Sequence, residues 1–141
     1  LRSTDNVDYP GVARAKLPVL QVLFEHFRRA HLGHGTARAR AFDDYRRERG
    51  ESLRRHALHD AIDAHLRPQD PDRYWGWPVW PAELRDPAHP AVRDFEDRHR
   101  EAVEFHAWLQ WIADEQLAAV QRLARELGMR AMEQEIAALT G

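Results

Sequence analysis

The 141-residue sequence contains no cysteine. This absence excludes disulfide frameworks, thiol nucleophiles and cysteine-based zinc sites. The chain also lacks any apolar run of the roughly 18 residues that a membrane-spanning helix needs, so we predict no membrane partner. No secretory signal is visible, and we therefore expect a cytoplasmic protein. The chain starts at Leu1 rather than at methionine, which leads us to expect an excised or processed piece.

Lysine is almost as scarce as cysteine, since Lys16 stands beside 20 arginines among the 21 basic residues. The 23 acidic residues alternate with these arginines, and the net charge is only −2. Such interleaving, seen most clearly at positions 43–49, is typical of solvated helix faces that carry ion pairs one turn apart. A groove that follows a nucleic-acid backbone would be basic along its length. We therefore predict no nucleic-acid partner.

Alternation of apolar and polar residues with the period of a β-strand is absent throughout, which predicts an all-α fold. Helical spacing of apolar residues predicts four main helices, over about residues 12–30, 36–49, 52–66 and 91–127. Gly33–Gly35 and Gly50 separate the first three. Pro18 lies inside the first segment, so that helix either starts near Leu17 or bends at the proline.

The last predicted helix is unusually long, because residues 91–127 contain neither glycine nor proline. It would extend over roughly 55 Å, whereas a globule of this size is roughly 37 Å across. Pro90 suits its first turn and Gly128 suits the position after its end. A mostly apolar stripe runs along it at positions 92, 95, 99, 102, 106, 109, 113, 116, 120, 123 and 127. We expect this helix either to project from its own domain or to pack against something larger.

Residues 67–90 form a different kind of segment, which holds six of the eight prolines and three of the five tryptophans. We predict an ordered loop, because three tryptophan rings are unfavourable in water. Trp75, Trp77 and Trp80 have two interpretations. They stack against sugar rings as candidate glucan contacts, or they fill the groove between the third helix and the long one. We favour the second.

Histidine pairs are the remaining candidates for chemistry. His56 and His59 lie one turn apart with Asp60 and Asp63 following, so one helix face offers nitrogen and oxygen to a divalent metal. No further ligand follows at a telling spacing, and we predict neither a metal site nor a cofactor. His31 and His34, on either side of a glycine in a turn, give no stronger indication of a metal. His99 and His106 are interpreted as hydrogen-bonded core or interface histidines. No serine–histidine–aspartate set, glycine-rich phosphate loop or other complete active site is visible, so we assign no catalytic residue.

Five blocks of the sequence together resemble the bacterial 4-α-glucanotransferases, also called amylomaltases or disproportionating enzymes, of glycoside hydrolase family 77. The resemblance covers about residues 5–129, and its last block, with adjacent Gln110 and Trp111, is specific. The blocks are VDY at 7–9, AKLPVL at 15–20, LRRHAL at 53–58, WGWPVWP at 75–81 and VEFHAWLQW at 103–111.

This resemblance implies a parent enzyme with a catalytic (β/α)8 barrel, into which residues 1–128 fit as a largely helical insertion subdomain. Such enzymes transfer α-1,4-glucan segments between maltooligosaccharides by a retaining mechanism, with an aspartate nucleophile, a glutamate acid/base and an assisting aspartate. All three come from barrel strands downstream of the matched region, and none has a counterpart in this sequence. We therefore expect the chain to be inactive alone, to wall the acceptor side of the glucan cleft, and to have the barrel as its partner.

Residues 129–141 depart from the family pattern, because relatives continue into an apolar barrel strand at this point. Here Met132, Ile136 and Leu139 have helical spacing instead, which predicts a helical tail of natural or engineered origin. Relatives also carry aromatic glucan contacts near the start of the region, where this chain has Ala13. An alternative function is therefore a scaffold or self-association module that uses the long helix to form homo-oligomers.

Overall fold

The computed structural model describes residues 7–140, with side chains described for residues 7–130 and 134. The elements in chain order are α1 (Tyr9–Ala30), α2 (Ala37–Leu66), a 3₁₀ turn (Trp77–Val79), α3 (Ala82–Arg85), α4 (Pro90–Arg98) and α5 (Arg100–Thr140). No strand occurs within the described residues, and the predicted all-α fold with a long C-terminal helix is confirmed. The chain divides into two units, one ending at Trp108 and one beginning at Leu109.

Side chains at the helix starts explain where α1 and α2 begin. An Asp8 carboxylate oxygen accepts a hydrogen bond from the Gly11 N–H at 2.8 Å, and the Thr36 hydroxyl accepts one from the Ala39 N–H at 3.1 Å. These bonds satisfy N–H groups that have no partner within the first helical turn. The helix α1 thus begins before Val12 and includes Pro18, so a start near Leu17 is wrong.

The helix α2 consists of two helical arms that meet at Gly50. This residue has φ 54° and ψ −134°, a backbone conformation that side chains with a Cβ atom rarely adopt. The predicted break at Gly50 is therefore confirmed. Gly33 and Gly35 also have positive φ, at 77° and 59°, in the turn between α1 and α2.

The long helix differs from the prediction at both ends. It is interrupted at His99, where φ is −115° and ψ is 28°, so residues 91–127 are not one continuous helix. It then continues through Gly128, which lacks the positive φ of a glycine that terminates a helix. Helical periodicity could not reveal the first break, because no glycine or proline marks it. The helical backbone predicted beyond residue 129 is present to Thr140, while the apolar spacing of Met132, Ile136 and Leu139 lies outside the described side chains.

The core of the first unit is built where α1, α2 and α4 meet the start of α5. It is rich in aromatic rings, and Phe27 meets Phe42 edge-on at 5.7 Å while Phe24 lies 5.4 Å from Phe105. Burial of rings with such geometry stabilises a fold beyond the area removed from water. The buried residues of this unit are Phe24, Phe27, Ala39, Phe42, Leu53, Ala57, Leu58, Ala61, Ile62, Leu66, Trp80, Val92, Phe95, Phe105, Ala107 and Trp108.

The second unit is the distal part of α5, and apolar side chains remain exposed along it. Leu117, Val120, Leu123 and Leu127, which we call the α5 stripe, are 54–63% exposed. Trp111 is buried at 3% exposure. On α1, Leu17 is 39% exposed. The expectation that this helix packs against a larger body stays a prediction.

The helices described in the structure include none that is both long and apolar enough to cross a membrane.

Candidate functional site

Hydrogen bonds between residues close in sequence hold the tryptophan loop, residues 67–90, in place. An Asp70 side-chain oxygen accepts from the Arg73 N–H at 3.1 Å, and the Asp70 carbonyl accepts from the Tyr74 N–H at 2.8 Å. Within the 3₁₀ turn, the Trp80 N–H donates to the Trp77 carbonyl at 3.2 Å. These bonds replace the regular ladder that the prolines of this segment prevent. The predicted irregular loop is thus ordered by turns.

Trp80 anchors the loop in the protein interior. It is 4% exposed and belongs to the cluster formed by Leu58, Ile62, Val92 and Phe95 with their neighbours. Its ring also lies 4.9 Å from that of His59 on α2. A ring so enclosed has no free face for a sugar, so the structure removes Trp80 from the candidate glucan contacts. It supports the alternative interpretation for this residue, that it fills a groove.

Trp75 and Trp77 occupy the opposite environment, at 58% and 50% exposure. The Trp77 indole N–H donates to the Arg85 carbonyl at 3.1 Å, and the Arg85 guanidinium donates to the Pro78 carbonyl at 3.4 Å. These two bonds fix the Trp77 ring while leaving much of it accessible. Exposed rings on an anchored loop can stack against a planar or apolar ligand face, so Trp75 and Trp77 remain candidate contacts.

Asp60 lies between the two histidines of α2 that the sequence singled out, His56 and His59. Its carboxylate lies 3.4 Å from His56 Nε2 and 3.2 Å from His59 Nδ1, and His106 Nδ1 of α5 approaches it at 4.0 Å. Asp63 instead pairs with Arg67 at 2.9 Å. Within the described part of the chain, no group of three histidine or acidic side chains is arranged to hold a metal ion.

The other histidine pairs have separate roles. His31 Nδ1 lies 3.0 Å from the Thr36 hydroxyl, the group that caps α2, so His31 links the turn to the helix start. His34 is exposed in the same turn. His99 stacks on Phe95 with 4.2 Å between ring centroids, and His106 has a side chain only 15% exposed. The interpretation of His99 and His106 as packed histidines agrees with these contacts.

A cleft of about 890 Å³, lined by α2, α4 and the start of α5, was not foreseen from the sequence. Arginine–carboxylate pairs cross it, Arg54 with Glu96 and Arg46 with Glu104. Hydrogen bonds from Arg54 and Arg55 lower the pKa of the exposed Glu51 carboxylate to about 2. The spacing of Glu51 and Arg54 on one helix indicates the hydrogen bond between their side chains. Nothing in the sequence indicates the hydrogen bond between Arg54 and Glu96, which lies 42 positions further along the chain. Because its cations have anionic partners, this cleft offers no evident anion site.

Comparison with known proteins decides the family. A sequence profile described as 4-alpha-glucanotransferase, of glycoside hydrolase family 77, matches residues 1–140. The chain belongs to the 4-alpha-glucanotransferase family. The resemblance found in the five sequence blocks is thereby confirmed.

Individual relatives show how much of such a protein the chain represents. A 4-alpha-glucanotransferase of Haemophilus influenzae is 33% identical over 132 residues, which are 92% of this chain and 19% of that protein. Those of Mycobacterium tuberculosis and Mycobacterium bovis are 53% identical over 53 residues, 38% of this chain and 7% of theirs. The chain thus spans about a fifth or less of the length of these relatives.

The boundary proposed at residue 128 stays a prediction. The profile match extends to residue 140 and so includes most of the segment that we predicted to depart from the family pattern.

Proposed function

We propose that this chain is a helical subdomain of a 4-alpha-glucanotransferase and is non-catalytic by itself. The observation that carries the proposal is the coverage: the Haemophilus influenzae relative aligns with 92% of this chain, yet this represents 19% of the relative. The parent enzyme would transfer α-1,4-glucan segments between maltooligosaccharides by a retaining mechanism. Its catalytic aspartate, glutamate and second aspartate would come from the barrel, and this subdomain would wall the acceptor side of the cleft.

Activity of the isolated chain tests this proposal directly. The 141-residue chain is incubated with maltotriose, and glucose release is measured against a blank without protein. We expect no glucose above the blank. Release that scales with chain concentration, and persists through repeated purification, would mean that the chain holds its own catalytic groups.

The exposed tryptophans are the proposed α-glucan contacts. Trp75 and Trp77 present accessible rings, and the burial of Trp80 keeps their loop in place. A sugar ring turns its C–H face to an aromatic face, which removes apolar surface of both from water. Because the loop is anchored before any ligand arrives, little conformational entropy would be lost on binding.

Tryptophan fluorescence with maltoheptaose tests these contacts. We expect quenching in the wild-type chain that is reduced in Trp75→Ala and Trp77→Ala, each confirmed as folded by circular dichroism. Leu123→Ala, an exposed substitution on α5, is the matched control and should retain the quenching. Equal quenching in all variants would place any glucan contact elsewhere, and its absence in the wild type would leave the family assignment without a glucan role for this loop.

The partner of the subdomain is proposed to be the (β/α)8 barrel of the parent. Besides the α5 stripe, Val19, Val22 and Leu23 of α1 are 50–66% exposed. Apolar groups of this extent usually become buried in an interface. Co-expression with the barrel region of the same enzyme should yield a complex. Substitution of Val120 and Leu123 by glutamine should weaken that complex, whereas Arg47→Gln, at an exposed ion pair, should not.

Self-association through α5 is the second candidate function, and the exposure of the α5 stripe is the observation that favours it. Light scattering of the chain over increasing concentration distinguishes the two. A mass that rises to a defined oligomer, and returns to the monomer in the Val120→Gln/Leu123→Gln variant, supports self-association. A monomer at every concentration rejects it. The cytoplasmic location expected from the sequence stays a prediction.

A further inference from the structure

Histidines gather where α2 packs on α4 and the start of α5. His65 of α2 lies 4.7 Å from His99 between ring centroids, and His106 Nδ1 of α5 lies 4.0 Å from an Asp60 oxygen of α2. We call His65, His99 and His106 the histidine seam. Imidazole is the side chain whose charge changes closest to neutral pH, so the charge of this contact depends on pH.

His99 lies where the backbone leaves the regular helix. Its φ of −115° and ψ of 28° separate α4 from α5, although its N–H still donates to the Phe95 carbonyl at 2.8 Å. Its ring stacks on Phe95, which is 3% exposed and also meets His65 edge-on at 5.4 Å. The three rings therefore hold the α4–α5 junction against α2. A charge gained here acts on the junction itself.

The carboxylates around the seam are largely engaged with other cations. Arg28 pairs with Glu101 at 2.6 Å and with Glu25 at 3.7 Å, while Arg67 pairs with Asp63. Asp60 already lies beside two other histidines of α2. The charged and titratable groups that act on His99 are His65 from α2 and Arg98 from α4, and those that act on His106 are Asp60, His56 and Asp63 from α2. Glu25 of α1, Arg98 of α4 and Glu101 of α5 line the cavity that both histidines share.

Burial shifts the pKa of His99 and the pKa of His106 in the same direction. It lowers the pKa of His99, with further lowering by His65 and Arg98. Burial likewise lowers the pKa of His106, and the Asp60 charge only partly opposes it. Both rings line a cavity of about 550 Å³ with Leu17, Phe24 and Phe105, so their surroundings are partly apolar. A protonated ring is thus less favourable in the folded chain than in the unfolded one.

We propose that the histidine seam is an acid-sensitive joint, at which protonation of His99 and His106 weakens the packing of α2 on α4 and the start of α5. A histidine with a lowered folded-state pKa supports the fold fully above its ordinary value of about 6.5. That contribution is lost as the pH falls through 6.5 toward the folded value. The joint should therefore loosen between about pH 7 and pH 5, whatever the chain binds.

Thermal unfolding of the 141-residue chain tests the joint. We expect the midpoint to fall by several degrees between about pH 7.5 and pH 5.5, a window in which histidines titrate and Glu51, with a pKa of about 2, does not. The fall should be halved or less in the His99→Gln/His106→Gln variant, which removes the two rings whose pKa burial lowers. The control His26→Gln/His34→Gln removes two exposed histidines outside the seam and should fall as the wild type does.

Two results would overturn the proposal: a wild-type midpoint that does not change over this window, or an equal fall in the seam and control variants. Titration of the imidazole resonances by NMR decides the matter even if the double variant fails to fold. His99 and His106 should each titrate below about 6.5 in the folded chain. Titration of both at or above that value would contradict an acid-sensitive joint.

Discussion

The core around α2 and α4 and the α5 stripe are both lines of apolar residues at helical spacing, yet their environments are opposite. Ile62, Val92 and Phe95 are 2–3% exposed, whereas Leu117, Val120, Leu123 and Leu127 are 54–63% exposed. Spacing shows only which residues share a helix face. Whether that face is buried depends on whether another surface covers it. Within the described residues, the face of α2 and α4 is covered in this way and the α5 stripe is not.

The tryptophan loop also contains a buried and an exposed residue of the same type, and we expect the largest change in the free energy of unfolding here. Trp80→Ala removes a buried ring and should lower the free energy of unfolding by about 3–5 kcal/mol. Trp77→Ala changes the same residue type three positions away on the exposed side and should cost less than about 1 kcal/mol. Urea unfolding monitored by circular dichroism measures both. Similar losses in the two variants would mean that Trp77 is also part of the core.

The next largest changes in stability are expected for two glycines, one in each unit. Substitution by alanine should destabilise the chain at one glycine and stabilise it at the other. Gly50→Ala places a Cβ at φ 54°, and because nothing lies within 4 Å of that atom, the loss of about 1–2 kcal/mol would come from backbone strain. Gly128→Ala, also without a neighbour within 4 Å, should stabilise α5 by about 0.5–1 kcal/mol through helix propensity. Thermal unfolding gives both signs. Destabilisation by Gly128→Ala would show that the residue is needed as glycine.

The smallest effect on stability is expected within the α5 stripe itself. Leu123→Gln should change the free energy of unfolding of the chain by less than about 0.5 kcal/mol, since the side chain is 54% exposed and both residues are good helix formers. Leu58→Ala in the core should cost about 2–5 kcal/mol in the same urea titration. A large loss in Leu123→Gln at low protein concentration would show that the stripe is covered within the chain.

Much of the fold could be predicted from local signals. Glycines at 33, 35 and 50 disrupt the helical pattern because they adopt positive φ, and both breaks, one at Gly33–Gly35 and one at Gly50, were predicted. The break at His99 could not be, because it is stabilised by rings of α2 and α4 rather than by a local breaker. Gly128 shows the converse, since a glycine without positive φ costs a helix only about 1 kcal/mol and does not end it.

The candidate site was predictable to a similar degree. The cluster of tryptophans and prolines indicated an ordered loop, but three identical side chains carry no sign of which ring faces inward. The position of Trp80 in the cluster with Ile62 and Phe95 separates it from Trp75 and Trp77. The link from Arg54 to Glu96 and the proximity of His65 to His99 are likewise contacts between distant residues.

The helical fold, the positions of its glycine breaks and the 4-alpha-glucanotransferase family can all be recognised in the amino-acid sequence, because helical periodicity, backbone freedom and the family-like blocks are properties of neighbouring residues. Three features could be seen only in the folded chain: Trp80 is buried while Trp77 is exposed, α4 and α5 separate at His99, and the α5 stripe is exposed. Each of these depends on which surface meets which, and burial is a property of pairs of surfaces rather than of a single segment.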